Sequence, residues 1–181
     1  SIVDNLDLVV DKSSFKSRPI VVGAGPAGLF ATLILAQSGA KPILIERGMC
    51  VEERAKAVKE FFDGGELDTE TNVQFGEGGA GTFSDGKLFS RSKKRGDMQR
   101  IMELFHYFGA DDKILYESHA HIGSDKLPSI IERMRQCIIE HGGEIHFNQK
   151  VEHFDFSHPT ILAIGHSAHD TYQQLYNMGV A

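Results

Sequence analysis

The chain has 181 residues, 41% of them hydrophobic, a formal net charge of −6 and a sequence pI near 5.8. That size and apolar content close the core of one domain and exclude a disordered tail, while the acidic balance argues against nucleic acid or an anionic membrane as the main partner. The local basic run Arg91-Ser-Lys-Lys-Arg95 reads as a solvated loop.

Residues 1–17 read as a linker or edge strand, with Leu6-Asp-Leu-Val-Val-Asp11 as the strand candidate; they are acidic and lack a signal-peptide core. The first residue is not methionine, and a trimmed form is expected on that ground. Two cysteines, Cys50 and Cys137, form no CxxC pair, so neither a disulfide framework nor a thiol redox couple is expected, and a reducing cytoplasm is the natural compartment. No apolar stretch reaches the roughly 18 residues of a membrane span.

Pro19 to Val22 is a short apolar run suited to a buried parallel strand. Gly23, Gly25 and Gly28 follow as GxGxxG: the first permits a tight turn, the second lets backbone approach a pyrophosphate, and the third lets the next helix pack on the strand. That helix, Pro26 to Ser38, is almost wholly apolar and opens on Pro26 and Ala27, so free N–H groups and the positive end of its dipole await an anion. Pro42 to Ile45 is the second apolar strand, and Glu46, 18 residues after Gly28, stands near the spacing at which an acid takes hydrogen bonds from an adenosine ribose.

Val51 to Phe62 has helical composition and ends at Gly64-Gly65, whereas Gly76 to Gly86 holds five glycines in eleven residues and reads as a ligand-facing loop. Asp97 to Phe108 is expected to be a helix with Ile101, Leu104, Phe105 and Phe108 in the core, and Ile114 to Tyr116 a short strand. Leu127 to His141 carries Leu127, Ile130, Ile131, Met134 and Ile138 at helical spacing and stops at Gly142-Gly143. Glu144 to Asn148, Val151 to Phe156 and Thr160 to Ile164 read as strands, the last entering Gly165-His-Ser-Ala-His-Asp170, and Asp170 to Met178 as a closing helix. Alternating strands and helices imply an α/β, Rossmann-like, doubly wound parallel sheet over residues 18–181, with its ligand outside the carboxyl ends of the strands.

With Gly76-Glu-Gly-Gly-Ala-Gly-Thr-Phe-Ser-Asp-Gly-Lys-Leu88 and Gly165-His-Ser-Ala-His-Asp-Thr171 on the page, the chain resembles the uncharacterised bacterial FAD-dependent dehydrogenases of the glutathione-reductase-like flavoprotein superfamily, from about Pro19 to Val180. The resemblance implies FAD, with Gly23, Gly25, Pro26, Ala27 and Gly28 on its pyrophosphate, Glu46 on the adenosine ribose, Arg47 near the adenine and the backbone of Val151 beside it. It implies that Gly78, Gly79, Ala80 and Gly81 lie against the flavin or its phosphates, with Ser84, Asp85 and Lys87 as polar candidates. Ile161 to Ile164 with Gly165 and His166 resembles the second nucleotide-side motif, usually Ala-Thr-Gly, with Ile164 in place of threonine. Only Ser157-His-Pro159 separates the strand ending at Phe156 from Thr160, where the resembled family places a β-meander, so the resemblance implies a trimmed form in which the β-meander and the substrate region are largely missing.

Nine histidines include the pairs His119 with His121 and His166 with His169, but neither pair has a third ligand at metal-binding spacing. His121 and His166 are candidates to flank a flavin-facing cleft, against the simpler reading of satisfied structural histidines. Ser84 and Ser167 lie in glycine-rich turns outside any GxSxG, which argues against a hydrolase. What remains is hydride or electron transfer through FAD between a small-molecule donor and acceptor that the sequence does not identify. Two readings stand beside it: a non-catalytic nucleotide-binding module, and NAD in place of FAD at the first glycine motif.

Overall fold

The computed structural model describes residues 14–84, 86, 98–117, 121–123 and 125–180. The expected strand at Leu6–Asp11, the basic run Arg91–Arg95, and Asp85, Lys87 and His119 lie outside the described residues.

The elements run β1 (Ile20–Val22), α1 (Pro26–Gln37), β2 (Ile43–Ile45), α2 (Val51–Phe62), α3 (Met98–Tyr107), α4 (Leu127–Glu140), β3 (Glu144–His146), β4 (Thr160–Leu162) and α5 (His169–Asn177). The four strands form one parallel sheet in the order β3-β2-β1-β4, with Val21 level with Leu44 and Ile161, and Leu44 level with Ile145. This is a Rossmann-like α/β arrangement: the two apolar tripeptides β1 and β2 are buried at the centre, and less apolar β3 and β4 take the edges.

One face of the sheet carries the core. Val21 and Leu44, both 0% exposed, point into a cluster with Leu29 and Leu33 of α1 and Ile130, Met134 and Ile138 of α4, and the two helices lie side by side. α1 is apolar on every side because it is flanked by the sheet, by α4 and by Phe105 of α3, whose ring meets Phe30 edge-on at 5.3 Å. The five residues assigned to the core face of α4 by spacing are all buried.

Two expected strands are absent. Ile114 and Leu115 fall in a 3-10 turn, Asp112–Leu115, that Tyr116 caps and that is started by the Asp111 carboxylate accepting from the Lys113 N–H at 3.1 Å; a side-chain acceptor three residues ahead of the apolar pair outweighs its strand composition. Val151 to Phe156 forms bends and turns, because its alternating residues lie beyond the end of the short edge strand β3 and have no neighbouring strand to pair with.

Candidate functional site

The strand order reverses at β1, with β2 on one side and β4 on the other, so the connections leaving these strands diverge and open a crevice. A cleft of about 300 Å³ lies there, walled by the last residues of the three strands, Val22, Ile45 and Leu162, and by the turns that follow each. It gathers eleven of the residues singled out from the sequence: Gly23, Gly25, Pro26, Ala27, Glu46, Arg47, Gly79, Ala80, Val151, Gly165 and His166.

The three glycines of the first motif do different work. Gly23 has φ +101° and donates its N–H to Ile45 O at 2.8 Å, and a Cβ there would overlap the carbonyl of Ala163. A Cβ at Gly28 would overlap the carbonyl oxygen of Gly23, so Gly28 is a packing residue and does not line the cleft. At Gly25 a Cβ would meet nothing within 4 Å: the space above this backbone is free, as a bound phosphate requires. α1 then begins with no acidic residue in its first turn and no side-chain cap, which leaves its N-terminal amides and dipole facing the cleft.

Glu46 is 5% exposed and ties the site together. Its Oε2 accepts from Ala24 N at 2.7 Å, and its Oε1 accepts from Gly48 N at 2.9 Å and Gly76 N at 3.1 Å. Of roughly four acceptor positions on a carboxylate, these bonds use three, and the remaining one, on Oε2, suits a hydroxyl. The sequence pointed to a sugar partner and missed this second task of joining the two glycine loops.

Arg47 donates from Nε to Glu70 at 2.6 Å and through both terminal nitrogens to Asp170 at 3.1 and 3.0 Å, over the face of Phe75 at 4.3 Å. Lys150 adds a 2.6 Å ion pair to Asp170. The Arg47 guanidinium holds the Asp170 carboxyl well below the usual carboxylate range, and the hydrogen bond to Glu70 raises Arg47 in turn. α5 is thereby fastened at the rim of the cleft, a link across 123 residues of chain that no local pattern announces.

The loop from Gly76 onward divides between two spaces. Gly79 and Ala80 face the cleft, while Gly78, Gly81 and Ser84 line a second cavity of about 680 Å³, largely apolar, beside Leu29, Phe30, Leu104 and Met134. Pro26 and Ala27 border both spaces. Ser84 donates its hydroxyl to Gly81 O at 2.7 Å and accepts from Gly86 N at 3.2 Å, which makes it a turn residue.

Two buried charged residues hold this loop, and sequence reasoning passed over both. Arg54 of α2 and Glu77 are each 0% exposed. Glu77 Oε2 accepts from Val51 N at 2.8 Å and from Arg135 Nη1 of α4 at 2.7 Å, while its Oε1 is buried without a partner. Burial pushes the Glu77 carboxyl up to about 7 and the Arg54 guanidinium down to about 10. The available signal was position: Arg54 sits three residues after Val51 and four before Val58, on the apolar stripe of α2.

His166 lines the cleft, but His121 lines neither cavity. Among the described residues no three His, Cys, Asp or Glu side chains gather to hold a metal ion, and no helix is long and apolar enough to cross a membrane.

Residues 16–60 match the family model of an FAD binding domain, a segment that holds the first glycine turn, α1, β2 and Glu46. The match indicates FAD as the cofactor, and the open backbone at Gly25 lies within the matched segment. An uncharacterised protein of Clostridium beijerinckii is 44% identical over 182 aligned residues, which take in 92% of this chain and 34% of that protein. The chain thus spans about a third of the length of this relative.

Proposed function

We propose that the chain is the FAD-holding part of a flavin-dependent oxidoreductase of dehydrogenase type, acting on a small organic donor. The reading is carried by one observation: a free cradle above the Gly25 backbone, the start of α1 and the spare acceptor of Glu46 line the same crevice at the carboxyl ends of β1 and β2. It is supported by the FAD binding domain match over residues 16–60.

In this reading the Ala27 amide at the start of α1 holds the pyrophosphate, Glu46 Oε2 takes a ribose hydroxyl, and Arg47 with the backbone of Val151 borders the adenine. Gly165 and His166 close the cleft after β4, and the Gly78 to Gly81 loop with Ser84 lies on the flavin side, where Lys87 is a further candidate. Bound FAD supplies hydride or electron transfer at its ring. The chain's own contribution is to bind and orient it with fixed backbone dipoles, and to limit water through the clamp of Arg47, Lys150 and Asp170 at the rim.

Titration of the purified protein with FAD, read by flavin fluorescence and absorbance, tests this: saturable binding is expected, with NAD weaker. Glu46→Gln is expected to weaken FAD by on the order of 1.5 to 3 kcal/mol, the loss of a charge-assisted hydrogen bond. A colourless protein that takes up no FAD overturns the reading. The relative extends well beyond this chain, and that favours a second reading, a nucleotide-binding module without turnover of its own. Flavin that binds but is reduced by no donor supports the second reading over the first.

A further inference from the structure

Arg54 directs four of its five N–H donors to carbonyls of residues 72–79, the stretch that leads into the loop meeting the first glycine turn. Nε donates to Asn72 O at 2.9 Å and Nη2 to Val73 O at 2.9 Å, while Nη1 donates to Glu77 O at 2.8 Å and Gly79 O at 2.9 Å and lies 3.1 Å from Thr82 Oγ1. The ring of Phe83 lies against the guanidinium at 4.9 Å. A five-donor planar cation is the one side chain that satisfies so many converging carbonyls, and it stays charged at neutral pH despite its burial.

Direction follows from peptide geometry. In a trans peptide the carbonyl of one residue and the N–H of the next point to opposite sides. Glu77 O drawn inward turns the Gly78 N–H outward, where it donates to Ala24 O of the first glycine turn at 2.8 Å. Gly79 O drawn inward turns the Ala80 N–H outward in the same way, and Ala80 lines the cleft. Among the described residues no protein acceptor takes that N–H. The loop touches the phosphate cradle there, since a Cβ at Gly79 would come 3.1 Å from both Gly25 Cα and Pro26 Cδ.

We infer that Arg54 is a positioning residue for dinucleotide binding: by drawing in the Gly79 carbonyl it aims the Ala80 N–H at the pyrophosphate, as a second anion donor beside the start of α1. The inference rests on the proposed FAD reading. It assigns Arg54 no contact with the ligand; its effect passes through one peptide plane.

Ala80 offers a clean test, because Thr82 N donates to Gly79 O at 3.2 Å and so places Ala80 at the second position of a four-residue turn, where proline is favoured. Ala80→Pro deletes the N–H, Ala80→Ser keeps it, and Arg54→Lys keeps the charge with a poorer fork of donors. Binding of FAD, ADP and adenosine is measured for each by calorimetry or NMR titration, beside thermal unfolding. Ala80→Pro is expected to weaken FAD and ADP about tenfold or more with Tm within about 2 °C of the parent, to leave adenosine unchanged, and Ala80→Ser to bind within about twofold. Arg54→Lys is expected to show the same loss for ADP and not for adenosine; should it fail to fold, Ala80→Pro decides alone.

Parent protein that binds FAD while Ala80→Pro binds ADP equally well overturns the inference and leaves the functional reading intact. Equal losses for adenosine and ADP overturn it too, as a general structural effect. Parent protein that binds no FAD overturns the functional reading itself.

Discussion

The two glycine loops that touch at Gly25 and Gly79 reach their shapes by opposite means. The first is held by its neighbours in the chain and by apolar packing: β1, the turn at Gly23 and α1 stand on a core of Val21, Leu29, Leu33 and Leu44, and the closest constraint is Gly28 against the Gly23 carbonyl. The second has little apolar content of its own and is held by charge from a distance, with Arg54 reaching in from α2 and Arg135 from α4 through Glu77. A loop scaffolded by packing answers to volume. A loop scaffolded by buried charges answers to protonation, because an unpaired buried charge is far more costly than a small cavity.

The contrast breaks first at volume. Gly28→Val is expected to destabilise the fold by about 3 kcal/mol or more, since its side chain meets backbone that cannot give way. Gly25→Val, at a residue with φ −69° and ψ −179° and free space above it, is expected to change stability by less than about 1 kcal/mol yet remove FAD binding. Denaturant unfolding and FAD titration of the two variants separate a packing glycine from a ligand glycine; matching losses in both measurements would erase the distinction.

Protonation should act on the second loop. The folded-state carboxyl of Glu77 is raised to about 7 from an ordinary 4.5, so between those values the folded protein binds the extra proton. Stability contributed by the protonated form is present below about 4.5 and is lost as pH rises towards about 7, on the order of 3 kcal/mol in all. Urea unfolding of Glu77→Gln beside the parent at pH 5 and pH 8 is expected to show this difference shrinking in the variant. An unchanged pH slope would mean that Arg135 and the Val51 N–H already compensate the charge in full.

The smallest effect belongs to the rim, where charges are wet. Asp170→Asn removes ion pairs to Arg47 and Lys150 from a side chain that is 42% exposed, and is expected to cost less than about 1 kcal/mol, falling further in high salt. Thermal unfolding at low and high ionic strength measures it, and a large salt-independent loss would place the rim with the buried scaffold instead.

Much of the first loop was legible because each element there is specified by residues a few positions apart. Apolar runs of three or four, glycine spacing and a terminal acid predicted β1, α1 and β2 to within a residue or two, and the i, i+3, i+4 spacing from Leu127 to Ile138 gave the face of α4. The same local patterns misled at Ile114 to Tyr116, where a neighbouring aspartate started a turn, and at Val151 to Phe156, where strand composition found no strand to pair with. Strand pairing is a long-range event, and composition states only readiness for it.

The amino-acid sequence by itself determined the sheet's centre and the glycine turn that follows its first strand, since backbone sterics and hydrophobic periodicity act over short stretches of chain. Only the tertiary structure decided that Glu46 also holds one amide from each loop beside that of Gly48, that Arg54 and Glu77 carry the second loop from the inside, and that α5 closes the rim through Arg47. Apart from the Glu46 bond to Gly48, those assignments depend on charged groups meeting partners 22 to 123 residues away, and the worth of such a charge is fixed by its surroundings and not by its place in the chain.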